Sequence, residues 1–115
     1  CPQVLFLETM AEAVFAFINK FKKENLVYIN VAYNLSLDCD CAENPRPAVM
    51  ENIGVFASLD PIAIDQACVD AVYNSLDPGK VSLIQEMEEK IAVHILEEGE
   101  RLGLGIRNYE IFDID

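Results

Sequence analysis

Hydrophobic positions change their spacing several times along this chain, and each change marks an element. Over residues 4–23, Leu7, Met10, Val14, Phe17, Ile18 and Phe21 follow the i, i+3, i+4, i+7 pattern that lines one face of a helix. Glu8 and Glu12 lie towards its start and Lys20, Lys22 and Lys23 at its end, the order a helix dipole favours. Phe6 and Phe15 widen the stripe, so this helix is expected to pack on two sides. Residues 26–35 are β-branched and aromatic with little alternation, which predicts a strand buried on both faces. Pro45 and Pro47 make 36–50 a loop. A second short buried strand follows over 53–57, where Gly54 allows close backbone approach.

Asp60 suits a helix N-cap and Pro61 its first turn, opening a helix that runs to about residue 75. Ile64, Ala67, Cys68, Ala71 and Val72 form its inward face. After a turn at Asp77-Pro78-Gly79, Ile84, Met87, Ile91, Ile95 and Leu102 predict one long helix over 81–102. Glu86/Lys90 and Glu97/Arg101 pair on its outside, and Gly103 and Gly105 end it. Alternation over 106–114 predicts a last strand. The order α-β-β-α-α-β predicts an α/β (α+β) fold, a small mixed sheet of about three strands packed by three helices, in a single domain spanning 1–115.

Composition narrows the class. The chain has 115 residues, 52% of them hydrophobic and 24% charged, with a net charge of −12. That charge argues against nucleic acid and anionic membrane surfaces, which need clustered Lys and Arg. No apolar run reaches the length of a spanning helix, and residues 1–3 lack the features of a signal peptide. The absence of an initiator Met makes the chain read as a fragment or processed piece. With no secretory signal in view, the four cysteines read as reduced thiols of a cytoplasmic protein.

The chemistry concentrates in Asp38-Cys39-Asp40-Cys41. In an extended segment the two thiols point to one side and the two carboxylates to the other. Thiols suit zinc or a cluster iron, whereas carboxylates suit a hard cation. A tetrahedral site needs two further ligands, for which Cys68, Asp60 and Asp65 are candidates and Cys1 a remote one. The plain alternative makes the cysteines small packed side chains and the aspartates turn caps. For Asp60 the N-cap role outweighs a ligand role; Asp65 fits either. His94, the one histidine, has no Cys or His three or four residues away, so it reads as a boundary residue paired with Glu97 or Glu98. No G-x-S-x-G, phosphate-cradling glycine loop or H-E-x-x-H is present.

V-Y-I-N-V (27–31), D-C-D-C (38–41), I-G-V-F-A-S-L-D-P-I-A-I-D-Q-A-C-V-D (53–70) and E-E-G-E-R-L-G-L-G (97–105) together resemble the C-terminal part of the iron–sulfur-centre proteins known as domain of unknown function 362. The two motifs D-C-D-C and S-x-D-P-x-A-I-D-Q carry most of the likeness. It implies a bacterial or archaeal cytoplasmic protein linked to iron–sulfur or redox chemistry. Asp38, Cys39, Asp40, Cys41, Asp60 and Asp65 are the matching motif residues. Many members carry a ferredoxin-like insert; no C-x-x-C-x-x-C is present here, so such a cluster would lie outside this chain. Cys1-Pro2 fits the tail of a ferredoxin-type Cys-Pro, cut just after that insert. Where members often have His or Gly-rich residues after the second cysteine, this chain has Ala42-Glu43-Asn44.

Three functions follow as expectations. The first is a redox-protein domain with an iron–sulfur cluster or zinc at Asp38, Cys39, Asp40, Cys41 and Cys68. The second is a structural or interaction module without its own metal. The third is an enzyme pocket lined by Ser58, Asp60 and Asp65, joined by Asp38 and Asp40, acting through carboxylates. The expected partners are the remainder of the parent protein and, for the chain alone, a second copy meeting it through the first helix or a sheet edge.

Overall fold

The computed structural model of the protein describes residues 1–39 and 41–114. Along the chain lie α1 (Pro2–Ile18), β1 (Tyr28–Ala32), β2 (Gly54–Ser58), α2 (Pro61–Asn74), α3 (Lys80–Glu89) and α4 (His94–Arg101), with a 3-10 turn at Lys23–Asn25 before β1. The mixed α/β class is as expected. The element count and order are not: the described residues form two strands rather than three, and four helices rather than three.

The strands pair antiparallel, with Tyr28 opposite Ser58 and Ala32 opposite Gly54. One face, carrying Asn30, Ala32 and Phe56, lies against α2. The other face stays open. Ile29 and Val31 on β1 and Val55 on β2 are all more than 60% exposed, continued by Val27, Tyr33 and Leu59 at the strand ends. The expectation of strands buried on both faces therefore fails, because α2 is the only helix packed extensively on the sheet among the described residues. The pattern itself is that of a two-sided strand.

The core forms where α2, α4 and the turn after α4 meet. Ile62, Leu96 and Leu104 are its buried centre, with Phe15, Ile18, Val69 and Ile95 packed around them. Gly99 permits this contact: a Cβ there would stand 2.4 Å from Ile62 Cδ1. Helix α1 stops at Ile18, earlier than its apolar pattern predicts, as the chain tightens into i→i+3 bonds from Lys20 to Phe17 and from Phe21 to Ile18. It buries Leu7 and Ala11, whereas Phe6, Met10, Val14 and Phe17, and Phe21 just beyond its end, remain exposed.

The long helix expected over 81–102 is two helices. Ile91 adopts φ 47°, the left-handed region that β-branched residues avoid. Around it, Ile91 N–H donates to Glu88 and Ala92 N–H to Met87, the bond pair of a Schellman stop with isoleucine where glycine usually stands. The apolar spacing runs through this break, so periodicity alone missed it. Ile91→Gly is expected to raise stability by about 1 kcal/mol, the strain relieved minus the entropy glycine adds to the unfolded chain. A urea midpoint that falls instead would show that the Ile91 side chain contributes more by packing than its backbone costs.

Helix α4 ends as expected. Gly103 at φ 85° supplies the left-handed residue, and Leu104 N–H closes onto Gly99. The last strand expected over 106–114 does not form. That segment runs irregularly beside α2, leaving Ile111, Phe112 and Ile114 exposed. Its alternation meets no partner strand among the described residues.

Candidate functional site

The Asp-Cys-Asp-Cys segment lies in the loop between β1 and β2, and local hydrogen bonds shape it. Ser36 Oγ donates to the Arg46 carbonyl at 2.7 Å and accepts from Asp38 N–H at 3.2 Å. Asp38 grips Arg46 with both carboxylate oxygens: Nη2 donates to Oδ1 at 2.7 Å and Nε to Oδ2 at 2.9 Å, while the Arg46 backbone N–H donates to Oδ2 at 2.8 Å. These bonds hold the Asp38 carboxyl well below the usual carboxylate range. Asp38 thus braces the loop, closing the stretch from 38 to 46 into a ring.

Inside that ring the chain turns instead of running extended, with Ala42 N–H donating to the Cys39 carbonyl at 2.9 Å. The turn brings the two sulfurs together. Cys39 Sγ and Cys41 Sγ are 2.7 Å apart, both residues are exposed, and no disulfide joins them. Cys41 N–H also points at Cys39 Sγ, at 3.4 Å. Asp40, the fourth residue of the motif, lies outside the described residues.

Cys68 and Asp65 sit elsewhere, on α2 over β1. Asn30 Nδ2 donates to Asp65 Oδ1 at 2.7 Å and approaches Cys68 Sγ at 3.5 Å. Burial pushes the Cys68 thiol up and the Asp65 carboxylate adds to this, against the Asn30 bond, so at neutral pH it is a protonated thiol. Asp60 is an N-cap, as its place before Pro61 predicts. Its Oδ1 accepts from Ile62 and Ala63 N–H at 2.8 and 3.0 Å, and Ser58 Oγ accepts from Asp60 N–H at 2.9 Å. Oδ2 accepts from Ile106 N–H at 3.0 Å, so this carboxylate also ties down the segment after α4. Gly105 makes room for it, since a Cβ there would lie 1.9 Å from Oδ1. The pair Cys39 and Cys41 is brought together; Asp38, Ser58 and Asp60 are engaged in shaping backbone; Asp65 and Cys68 form a separate pair around Asn30.

The model of the family described as Domain of unknown function (DUF362) matches residues 2–70. The chain belongs to that family. The matched part holds α1, the sheet, the cysteine loop and all of α2 as far as Asp70, hence every site residue picked out from the motifs. The stretch 97–105 lies beyond it. Among curated proteins and solved structures nothing matches the chain.

One group escaped the sequence reading. Glu8 on α1 meets His94 and Glu98 on α4, with one potential ligand atom from each within 4.8 Å of the others. It is the only such set of three among the described residues. His94 Nε2 lies 3.2 Å from Glu8 Oε1 and Nδ1 3.9 Å from Glu97, which agrees with a glutamate-paired boundary histidine. Glu98 is buried and ion-paired with Arg101. With its carboxylate so engaged, the group bridges α1 to α4. The i, i+4 spacing of His94 and Glu98 was legible; the partner 86 residues earlier was not.

Proposed function

We propose that the chain is a metal-associated domain of a larger cytoplasmic redox protein, in which Cys39 and Cys41 offer two thiolates to one soft metal, zinc or an iron of an iron–sulfur cluster. The observation that carries this reading is the exposed Sγ pair 2.7 Å apart, on a turn braced by the Asp38–Arg46 ion pair. Two neighbouring exposed thiols suit a thiophilic ion; opened to the roughly 3.8 Å edge that metal–sulfur bonds of about 2.3 Å require, they would make half of a tetrahedral site. Asp38 is spent on Arg46 and the Cys68 thiol is held by its burial and Asn30. The remaining ligands of such a site would be supplied by Asp40, by the rest of the protein or by a second copy. The chemistry supplied by such a metal is electron transfer if it is a cluster iron, and structural clamping if it is zinc.

Anaerobically purified protein should carry iron or zinc by elemental analysis, and Cys39→Ser/Cys41→Ser should lose it. Cys68→Ser should leave the metal content unchanged. Metal-free wild-type protein would remove this reading.

A second reading has its own support. The open apolar face of the sheet and the exposed apolar stripe of α1 suit an interaction module, covered by the remainder of the parent protein. The two readings are compatible: a half-site needs a neighbour to complete it.

A further inference from the structure

Beside α2, on the segment that follows α4, an open cleft of about 430 Å³ is lined by Gln66, Asp70, Glu100, Arg107, Asn108 and Tyr109. Its walls are joined by a relay of hydrogen bonds. Tyr109 OH donates to Asp70 Oδ2 at 2.5 Å, and Gln66 Nε2 donates to Asp70 Oδ1 at 2.9 Å. The bond to Asp70, with burial behind it, pushes the Tyr109 hydroxyl up to about 12, so it remains a donor at any physiological pH. Asp70 thereby orients the Gln66 amide, which is buried. Gln66 Oε1 in turn accepts from Arg107 Nε at 2.8 Å. Glu100 Oε2 accepts from the Arg107 backbone N–H at 2.6 Å, setting the segment's position.

The end of this relay is a guanidinium aimed by a neutral amide. In a chain with 20 acidic residues and 8 basic ones, Arg46 and Arg101 each pair with a carboxylate, yet Arg107 makes no ion pair among the described residues. An amide fixes the Nε edge and leaves both the charge and the Nη groups uncommitted. A fork held in this way matches the two oxygens of a carboxylate or phosphate. Asp70 and Glu100 on the same walls would repel a wholly anionic molecule and attract one that also carries donors.

We infer that this cleft binds a small polar ligand whose carboxylate or phosphate is taken by the Arg107 guanidinium, with ammonium or hydroxyl donors turned towards the acidic walls. The size lies within the range of small-molecule sites, roughly 300–1,000 Å³. The site is independent of the cysteine loop.

The test is an NMR titration of the whole chain with two probes, inorganic phosphate and L-glutamate, with chloride holding the ionic strength constant. The signals to follow are the Arg107 side-chain Nε–H and the backbone amides of residues 66, 70 and 107–109. Saturable shifts confined to these signals are expected with at least one probe. Saturation by phosphate alone identifies a phosphoryl ligand, and by glutamate alone a carboxylate. Arg107→Gln should weaken binding about tenfold or more, with the rest of the spectrum unchanged. Should that variant fail to fold, Arg107→Lys decides: it keeps the charge without the fork and should still weaken binding severalfold. Shifts that rise linearly with both probes, or binding as tight in the arginine variant as in the wild type, overturn the assignment.

Discussion

Asp60→Ala is expected to destabilise the chain by about 3 kcal/mol, seen as a lower urea midpoint with an unchanged slope. The loss has two sources. Helix α2 loses the side-chain cap on Ile62 and Ala63 N–H, typically about 1 kcal/mol. Ile106 N–H then loses its acceptor, and the segment after α4 loses its tether, at roughly 1–3 kcal/mol. Because Leu104 in the turn before that segment belongs to the buried core, loosening it also weakens packing on Ile62 and Leu96. Asp60→Asn keeps one carbonyl oxygen for the cap and should cost about half as much. Asp65→Ala, an exposed residue bonded to Asn30, should stay within about 1 kcal/mol. Equal losses for Asp60→Ala and Asp65→Ala would disprove the two-segment role of Asp60.

The isolated chain is expected to self-associate. Its open sheet face carries Val27, Ile29, Val31, Tyr33, Val55 and Leu59, and α1 adds Phe6, Met10, Val14 and Phe17, with Phe21 just after it, all exposed. Together these exceed the few hundred Å² (roughly 300–600) of apolar patch that monomers ordinarily show. Light scattering should therefore give a mass above 12.9 kDa at tens of micromolar, by order of magnitude. Val31 and Val55 stand directly opposite each other in the register. Val31→Lys/Val55→Glu places an opposite-charge pair across the strands, which preserves the sheet while ending its apolar character. That variant should shift towards the monomer mass if the sheet face carries the association. A concentrated wild-type chain that stays strictly monomeric would defeat the prediction, and an associated double variant would move the contact to α1.

The parts of the fold legible in the sequence were those set by neighbours along the chain. Asp60-Pro61 marked the start of α2 because capping involves only the next three residues. Gly103 marked the end of α4 for the same reason. The break at Ile91 was hidden, since isoleucine is the last residue expected to take a left-handed turn and the apolar spacing continues across it. The strand expected over 106–114 alternated correctly but needed a partner, and alternation says nothing of whether one is present. The motif cysteines were legible as a pair, and the turn that joins their sulfurs depends on Arg46, whose grip on Asp38 no spacing rule foretold.

Local sequence accounts for the α/β class, both strands, the cap of α2, the excess of acid over base and the choice of the motif cysteines and aspartates as candidates. Each follows from local propensity, periodicity or composition, which tertiary contacts do not alter. The tertiary structure decided which of those residues meet. It separated Cys68 from the cysteine pair, assigned Asp38 and Asp60 to holding backbone, joined Glu8 to His94 and Glu98, and set Arg107 against a neutral amide in a cleft. These depend on how helices cross and where the last segment lies, and side chains distant in sequence become partners only when packing brings them within hydrogen-bond reach.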